Sequence, residues 1–263
     1  MQPRISRRNS LFVLTASASA LAASPAPEKE PSSPVNEAFP SHPPELIRET
    51  VTVAHGNFKR LKEIVDGKPA LAKAAIDWGF GDWEDCLGAA SHVGNREIAE
   101  YLIAKGARPT LFSATMLGQI DVVKAFVAAQ PGCQRIPGPH SISLLAHAKN
   151  GGAPAEPVLR YLESLGDAGT PTPAPISAEQ TAALAGTYTF GAGPRDTVEI
   201  SVTRGQLMFT RKGATSRGLV HVGDLAFHPA GASAVRIRFT LNPPGPVTLA
   251  VHDPDPVLLA KKL

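Results

Sequence analysis

The sequence predicts a multidomain α plus β chain, a short helical solenoid followed by a small antiparallel β-sheet or half-barrel. Three observations carry this. Four glycine-marked segments between residues 45 and 166 share helical apolar spacing, the period switches to two after residue 178, and Pro-rich stretches precede each part. With 43% hydrophobic and 19% charged residues the composition is globular, and 263 residues suffice for two ordinary domains. No apolar run reaches the ~18 residues of a membrane span, so none is expected in the mature protein.

The chain opens with MQPRISRRNSLFVLTASASALAAS, a basic start, an apolar stretch and small residues around Ala20-Leu21-Ala22. That order reads as an export signal over residues 1–22, cut near Ala22. Ser6-Arg7-Arg8-Asn9-Ser10-Leu11 resembles the twin-arginine export motif, with Ser10 where an aromatic is usual; the general secretory route is the alternative. Either route implies a bacterial protein that is periplasmic or secreted. The chain holds 26 basic and 23 acidic residues, and three of the basic ones (Arg4, Arg7 and Arg8) leave with the signal. The remainder is electrically balanced, which removes the basis for a nucleic-acid partner. Residues 23–44 are rich in Pro, Ser and Glu and read as a solvated linker.

Within residues 45–166 the segments 52-TVAHGNFKRLKEIV-65, 90-ASHVGNREIAEYLI-103, 114-ATMLGQIDVVKAFV-127 and 147-HAKNGG…AEPVLRYLESLG-166 can be superposed. Each sets a glycine before a helix whose apolar residues recur at helical spacing: Leu61, Ile64, Val65; Ile98, Tyr101, Leu102; Val122, Val123, Phe126; Val158, Tyr161, Leu162. A repeated helix–Gly–helix unit is the mark of a stacked array. Asp85-Cys86-Leu87-Gly88, Ala90-Ser91, Gly94-Asn95 and 97-EIAEYLIAKGARP-109 resemble successive stretches of the ankyrin repeat. The resemblance implies a solenoid whose hairpin tips and first helices bind other proteins.

Glycines at 56, 94, 118 and 151 are spaced by 38, 24 and 33 residues, so the second unit carries an enlarged projection and the third has lost its own. The projection, 77-DWGFGDWED-85, holds both tryptophans of the chain. Trp78, Phe80 and Trp83 are the candidate protein-binding anchors, with Asp82 and Glu84 in an acidic rim suited to a partner with an apolar pocket and a basic border. The structural alternative is that Trp78 or Trp83 folds back over the shortened third unit. His55, His92 and His147 lie beside inter-helix turns and read as capping or packing residues. Cys86 and Cys133 fall about two repeats apart, too far for the ~4.4–6.8 Å Cα separation of a disulfide.

After the linker 167–177, residues 178–263 alternate. Val198, Ile200 and Val202 face one way along 197-TVEISVTRGQLMFTR-211, and the pattern recurs in 235-VRIRFTL-241 and 247-VTLAV-251. The spacing of Leu184-Ala-Gly186-Thr-Tyr188, 200-ISVTRGQL-207, 219-LVHVGDLAF-227, Phe239 and the closing Leu-Leu-Ala-Lys-Lys resembles the small lipocalin-like domain found behind serine β-lactamase-like hydrolases. The resemblance implies an accessory domain, with chemistry elsewhere.

Hydrolytic motifs are missing: Ser-x-x-Lys, Gly-x-Ser-x-Gly, His-Glu-x-x-His and a phosphate loop are all absent. His221, His228, His252, Asp253 and Asp255 have the side chains for zinc or acid–base chemistry, but their spacing fits no ligand signature, and Asp253-Pro-Asp255-Pro reads as a turn. The sequence thus predicts a non-enzymatic exported protein without cofactor or metal, acting on an unknown protein partner. The alternative is small-molecule or envelope-fragment binding by the β domain.

Overall fold

The computed structural model describes residues 35–263; the expected signal and most of the linker after it lie outside the described residues. Helices come first and a closed eight-stranded antiparallel barrel follows. Among the described residues no helix is long and apolar enough to cross a membrane.

The helices form four antiparallel pairs: α1 (Pro44–Val53) with α2 (Phe58–Gly67), α3 (Cys86–His92) with α4 (Arg96–Ala104), α5 (Leu111–Met116) with α6 (Ile120–Ala129), and α7 (Leu144–Asn150) with α8 (Glu156–Leu165). Successive first helices touch, α1 with α3, α3 with α5 and α5 with α7. Local chemistry sets the pairs. In two of them the turn glycine is followed by an asparagine that caps the second helix, Asn57 accepting from the Arg60 N–H and Asn95 from the Ile98 N–H. Thr110 and Ser113 make a reciprocal capping box that starts α5 directly after the second pair. Leu61, Ile64 and Val65, then Ile98 and Leu102, then Val158 and Leu162 are buried as their spacing predicts. Each such burial contributes about 1.5–3 kcal/mol. In α6 only Val123 is inside, while Val122 and Phe126 are exposed.

Two segments project from this array. Residues 75–85 form a hairpin, β1 (Ala75–Asp77) paired with β2 (Trp83–Asp85), and Asp85 caps α3 immediately behind it. Residues 130–143, between α6 and α7, turn through two short 3-10 segments. The linker is pinned at both ends: Gln134 donates to Asp167, Leu145 N–H to the Ala168 carbonyl, and Ala174 N–H to the His221 carbonyl. Both cysteines are free and buried.

After α9 (Ala178–Leu184) the barrel runs through β3 (Gly186–Thr189), β4 (Thr197–Thr203), β5 (Gln206–Arg211), β6 (Arg217–Gly223), β7 (Ala226–Pro229), β8 (Arg236–Thr240), β9 (Thr248–Asp253) and β10 (Asp255–Lys262). The expected half-barrel is therefore corrected to a closed one. The last strand pairs with both β9 and β3, joining Lys261 to Thr189 and Lys262 to Tyr188. Only Ala260 of β10 is buried, which is why no alternation marks it in the sequence. The axis is filled by Ile200, Leu249 and edge-to-face contacts among Tyr188, Phe227 and Phe239, consistent with an eight-stranded barrel just wide enough for side chains.

Candidate metal centre

The projecting hairpin meets the loop 130–143 over the ends of α1 and α3, and there the strand period decides what each residue does. Along Asp82-Trp83-Glu84 successive side chains point to opposite sides. Trp83 faces out at 64% exposure, whereas Asp82 and Glu84 are 2% and 1% exposed. The expected acidic rim is thus turned inward. Trp78 is half-buried, its Nε1–H donating to Glu84 Oε2 at 2.7 Å with the Arg48 guanidinium over its ring. Phe80, at the hairpin tip, lies edge-on to Phe209 of the barrel with centroids 5.5 Å apart. Of the five residues singled out on this projection, Trp83 alone offers a broad exposed surface.

Around Glu84 stand three histidines from three segments. His55 Nε2 is 3.5 Å from Oε2, His140 Nε2 is 3.4 Å from Oε2, and His92 Nδ1 is 3.3 Å from Oε1. One ligand atom from each of the four residues lies within 4.8 Å of every other, the one such grouping of histidine, cysteine and carboxylate side chains among the described residues. His55 caps the end of α1 and His92 is packed inside, as expected, and both also turn a ring nitrogen toward Glu84. His147 does not join them; it is buried with Nδ1 on the Ser143 carbonyl. His221, His228 and His252 form no such group with Asp253 and Asp255.

Two of the rings, those of His55 and His140, are aimed by their other nitrogen. His55 Nδ1 lies 3.1 Å from both the Val51 and Thr52 carbonyls, which only accept, so Nδ1 is the donor there and Nε2 is turned toward Glu84. His140 donates from Nδ1 to Asp82 Oδ2 at 2.6 Å and from its backbone N–H to Oδ1 at 2.8 Å. A carboxylate behind a histidine is the usual outer partner of a metal-bound imidazole. The backbone at His140 and Ser141 is left-handed, with φ of 59° and 60°, a conformation that costs of order 1–3 kcal/mol per residue and persists only where surroundings enforce it.

The charges follow from this crowding. Burial alone would lower the His140 pKa, but hydrogen bonds to Asp82 and Glu84 outweigh it and hold the imidazole up to about 9. Burial pushes His92 down to about 4, so it is neutral at pH 7. Asp82 and Glu84 would be raised by burial, but hydrogen bonds from His140, joined at Asp82 by Arg217, hold both below the usual carboxylate range. Two buried atoms face one another without a hydrogen bond, Glu84 Oε1 and His92 Nδ1. Such orphans are rare in a folded protein and call for an explanation.

Three nitrogens and a carboxylate are a donor set suited to a divalent transition metal. Bonds of about 2.0–2.1 Å to tetrahedral zinc put ligand atoms about 3.3–3.4 Å apart; His55 and His140 stand at such distances from Oε2 and His92 from Oε1, and the four ligand atoms lie within 4.8 Å of one another, so a bound ion would draw them together. Calcium and magnesium prefer all-oxygen shells. The nearby Cys86 thiol does not contribute: burial pushes it up to about 12, and its sulfur contacts the Leu71 carbonyl. The sequence signal for this site was a histidine near the end of the first helix in units one and two; His140 has no repeat counterpart. No family model matches the chain, and no curated protein sequence matches it. The function has to be read from the chemistry of the site.

Proposed function

We propose that this is an exported, non-enzymatic metal-binding protein, in which His55, Glu84, His92 and His140 hold one divalent transition metal of the zinc class. The observation that carries the reading is the Glu84 carboxylate within 3.3–3.5 Å of a nitrogen on each of three histidines. Four protein ligands close a tetrahedral shell, which is the arrangement of structural sites rather than catalytic ones. Glu84 and His92 form the buried back of the centre; the partly exposed His55 and His140 form its open side. The proposal includes a periplasmic or secreted location, an ankyrin-like character for the helical pairs and a lipocalin-like one for the barrel.

Zinc titration of metal-stripped protein tests this. One equivalent is expected to bind tightly, and Glu84→Gln and His92→Ala are each expected to lose at least about 10-fold to 100-fold in affinity. Stoichiometric binding unchanged in both variants, or no binding by the parent, leaves the cluster as a charged hydrogen-bond network centred on protonated His140.

A second reading is favoured by Trp83, a 64% exposed indole on a hairpin whose inward residues are fastened on both sides. A rigid aromatic of this kind is a good anchor for a protein partner. Trp83→Ala is expected to abolish retention of any partner captured from periplasmic extract; retention equal to the parent's rules out that anchor.

A further inference from the structure

The candidate centre is built on the helices, the hairpin and the loop between α6 and α7, yet its outer support comes from the barrel. Arg217, at the start of β6 and 7% exposed, places Nη2 against both Asp82 Oδ2 and the Ala230 carbonyl. Gly231, which follows Ala230, has the Asp82 carboxylate where a Cβ would stand. Its N–H donates to Ser141 Oγ at 2.7 Å. The barrel therefore grips two residues at once: Asp82 on the hairpin and Ser141 beside His140. Asp82 in turn takes both the ring and the backbone N–H of His140.

A carboxylate left to itself in this pocket has several hydrogen-bonding orientations. With Arg217 on Oδ2 and the His140 N–H on Oδ1, one is selected, and it holds the Nδ1 proton of His140 on Asp82 and turns Nε2 toward Glu84, where a metal would take the place of the second proton. The left-handed backbone at His140 and Ser141 is held by the same contacts. We infer that the barrel completes the metal centre: Arg217, acting through Asp82, is the positioning residue that presents His140 as a ligand. This rests on the metal-binding reading above and assigns the barrel a part in it. The sequence separation of 135 residues between the two partners explains why no local pattern announces the pair.

The experiment uses the full chain, with zinc affinity measured by competition against a chromophoric chelator and the ligand field read from the visible spectrum of the cobalt(II) form. Arg217→Met and Asp82→Asn are each expected to lower affinity by about 10-fold to 100-fold, the effect typical of removing an outer partner. Each is expected to shift the cobalt bands while all four ligands remain. Arg217→Lys, which keeps the charge but not the fork, is expected to recover part of both. Arg211→Met, a barrel arginine stacked on Phe190, is expected to change neither. A folded Arg217→Met protein with parental affinity and spectrum overturns the inference while leaving the metal centre standing. If that variant does not fold, Asp82→Asn decides in the same way. A parent that binds neither zinc nor cobalt overturns the metal-binding reading and this inference together.

Discussion

The helical part and the barrel are held together by opposite means. The barrel surrounds one continuous apolar cluster with aromatic rings at its axis. The helical part divides its apolar residues between two clusters, one chiefly beneath α1 to α4 and a smaller one beneath α5 to α8, and it carries most of the buried polar side chains. Where the two parts meet, a charged chain stands beside the Phe80–Phe209 contact: Glu84, His140, Asp82 and Arg217 are linked in that order across the junction. Apolar packing tolerates small shifts of position, whereas a charged chain of this kind demands orientation and loses heavily when one member is removed. The barrel is built for stability and the junction for geometry.

The sharpest break of this contrast is Phe227→Ala. Phe227 is fully enclosed and packs edge-on to Phe239, so a loss of about 3–5 kcal/mol is expected in urea unfolding followed by far-ultraviolet circular dichroism. A loss under about 1 kcal/mol would mean the barrel axis is not the packed core described here.

A pair of glycines separates close packing from mere backbone need. Gly118 has φ of 75°, and the Pro154 carbonyl occupies the place of a Cβ, whereas Gly205 has φ of 79° with open space around it. Gly118→Ala is expected to cost about 2 kcal/mol or more, and Gly205→Ala only the ~1–2 kcal/mol of left-handed strain. Equal losses in thermal denaturation would show that the helical pairs are not tightly stacked at that turn.

Phe80→Ala should loosen the hairpin from the barrel rim at about 1–2 kcal/mol, measurable as faster proteolysis of the 75–85 hairpin. Alkali offers a gentler probe of the barrel. Burial raises the Tyr188 phenol to about 12 against an ordinary value of 10.0, and its hydroxyl donates to the Leu184 carbonyl. A group raised on folding contributes stability that is complete below its unfolded pKa and lost as pH climbs through the folded one. Barrel stability is thus expected to fall between pH 10 and about 12, and Tyr188→Phe to flatten that fall after losing about 1 kcal/mol at neutral pH. Unchanged slopes would place the tyrosine in contact with water. Trp83→Ala, at the exposed end of the scale, is expected to change stability by less than about 0.5 kcal/mol.

Much of the fold was legible because its signals are local. The Gly-Asn turns at 56–57 and 94–95, the amphipathic second helices and the alternation around Val198 and Ile200 each act within a few residues. The site was less legible. Asp82 and Glu84 were visible as acids, but reading 77–85 as an exposed loop assigned them to a rim; a three-residue strand alternates too briefly to declare which side is inward. His140 sits in an irregular turn with no repeat to mark it.

What the sequence by itself determined is the order of parts, the helix boundaries set by caps and glycines, and the inward faces set by periodicity, because these depend on near neighbours along the chain. Only the tertiary structure decided that the barrel closes, that His55, His92 and His140 converge on Glu84, and that Arg217 reaches Asp82. Those contacts join residues far apart in sequence, and their energy exists only once the chain has brought buried charges within hydrogen-bonding distance.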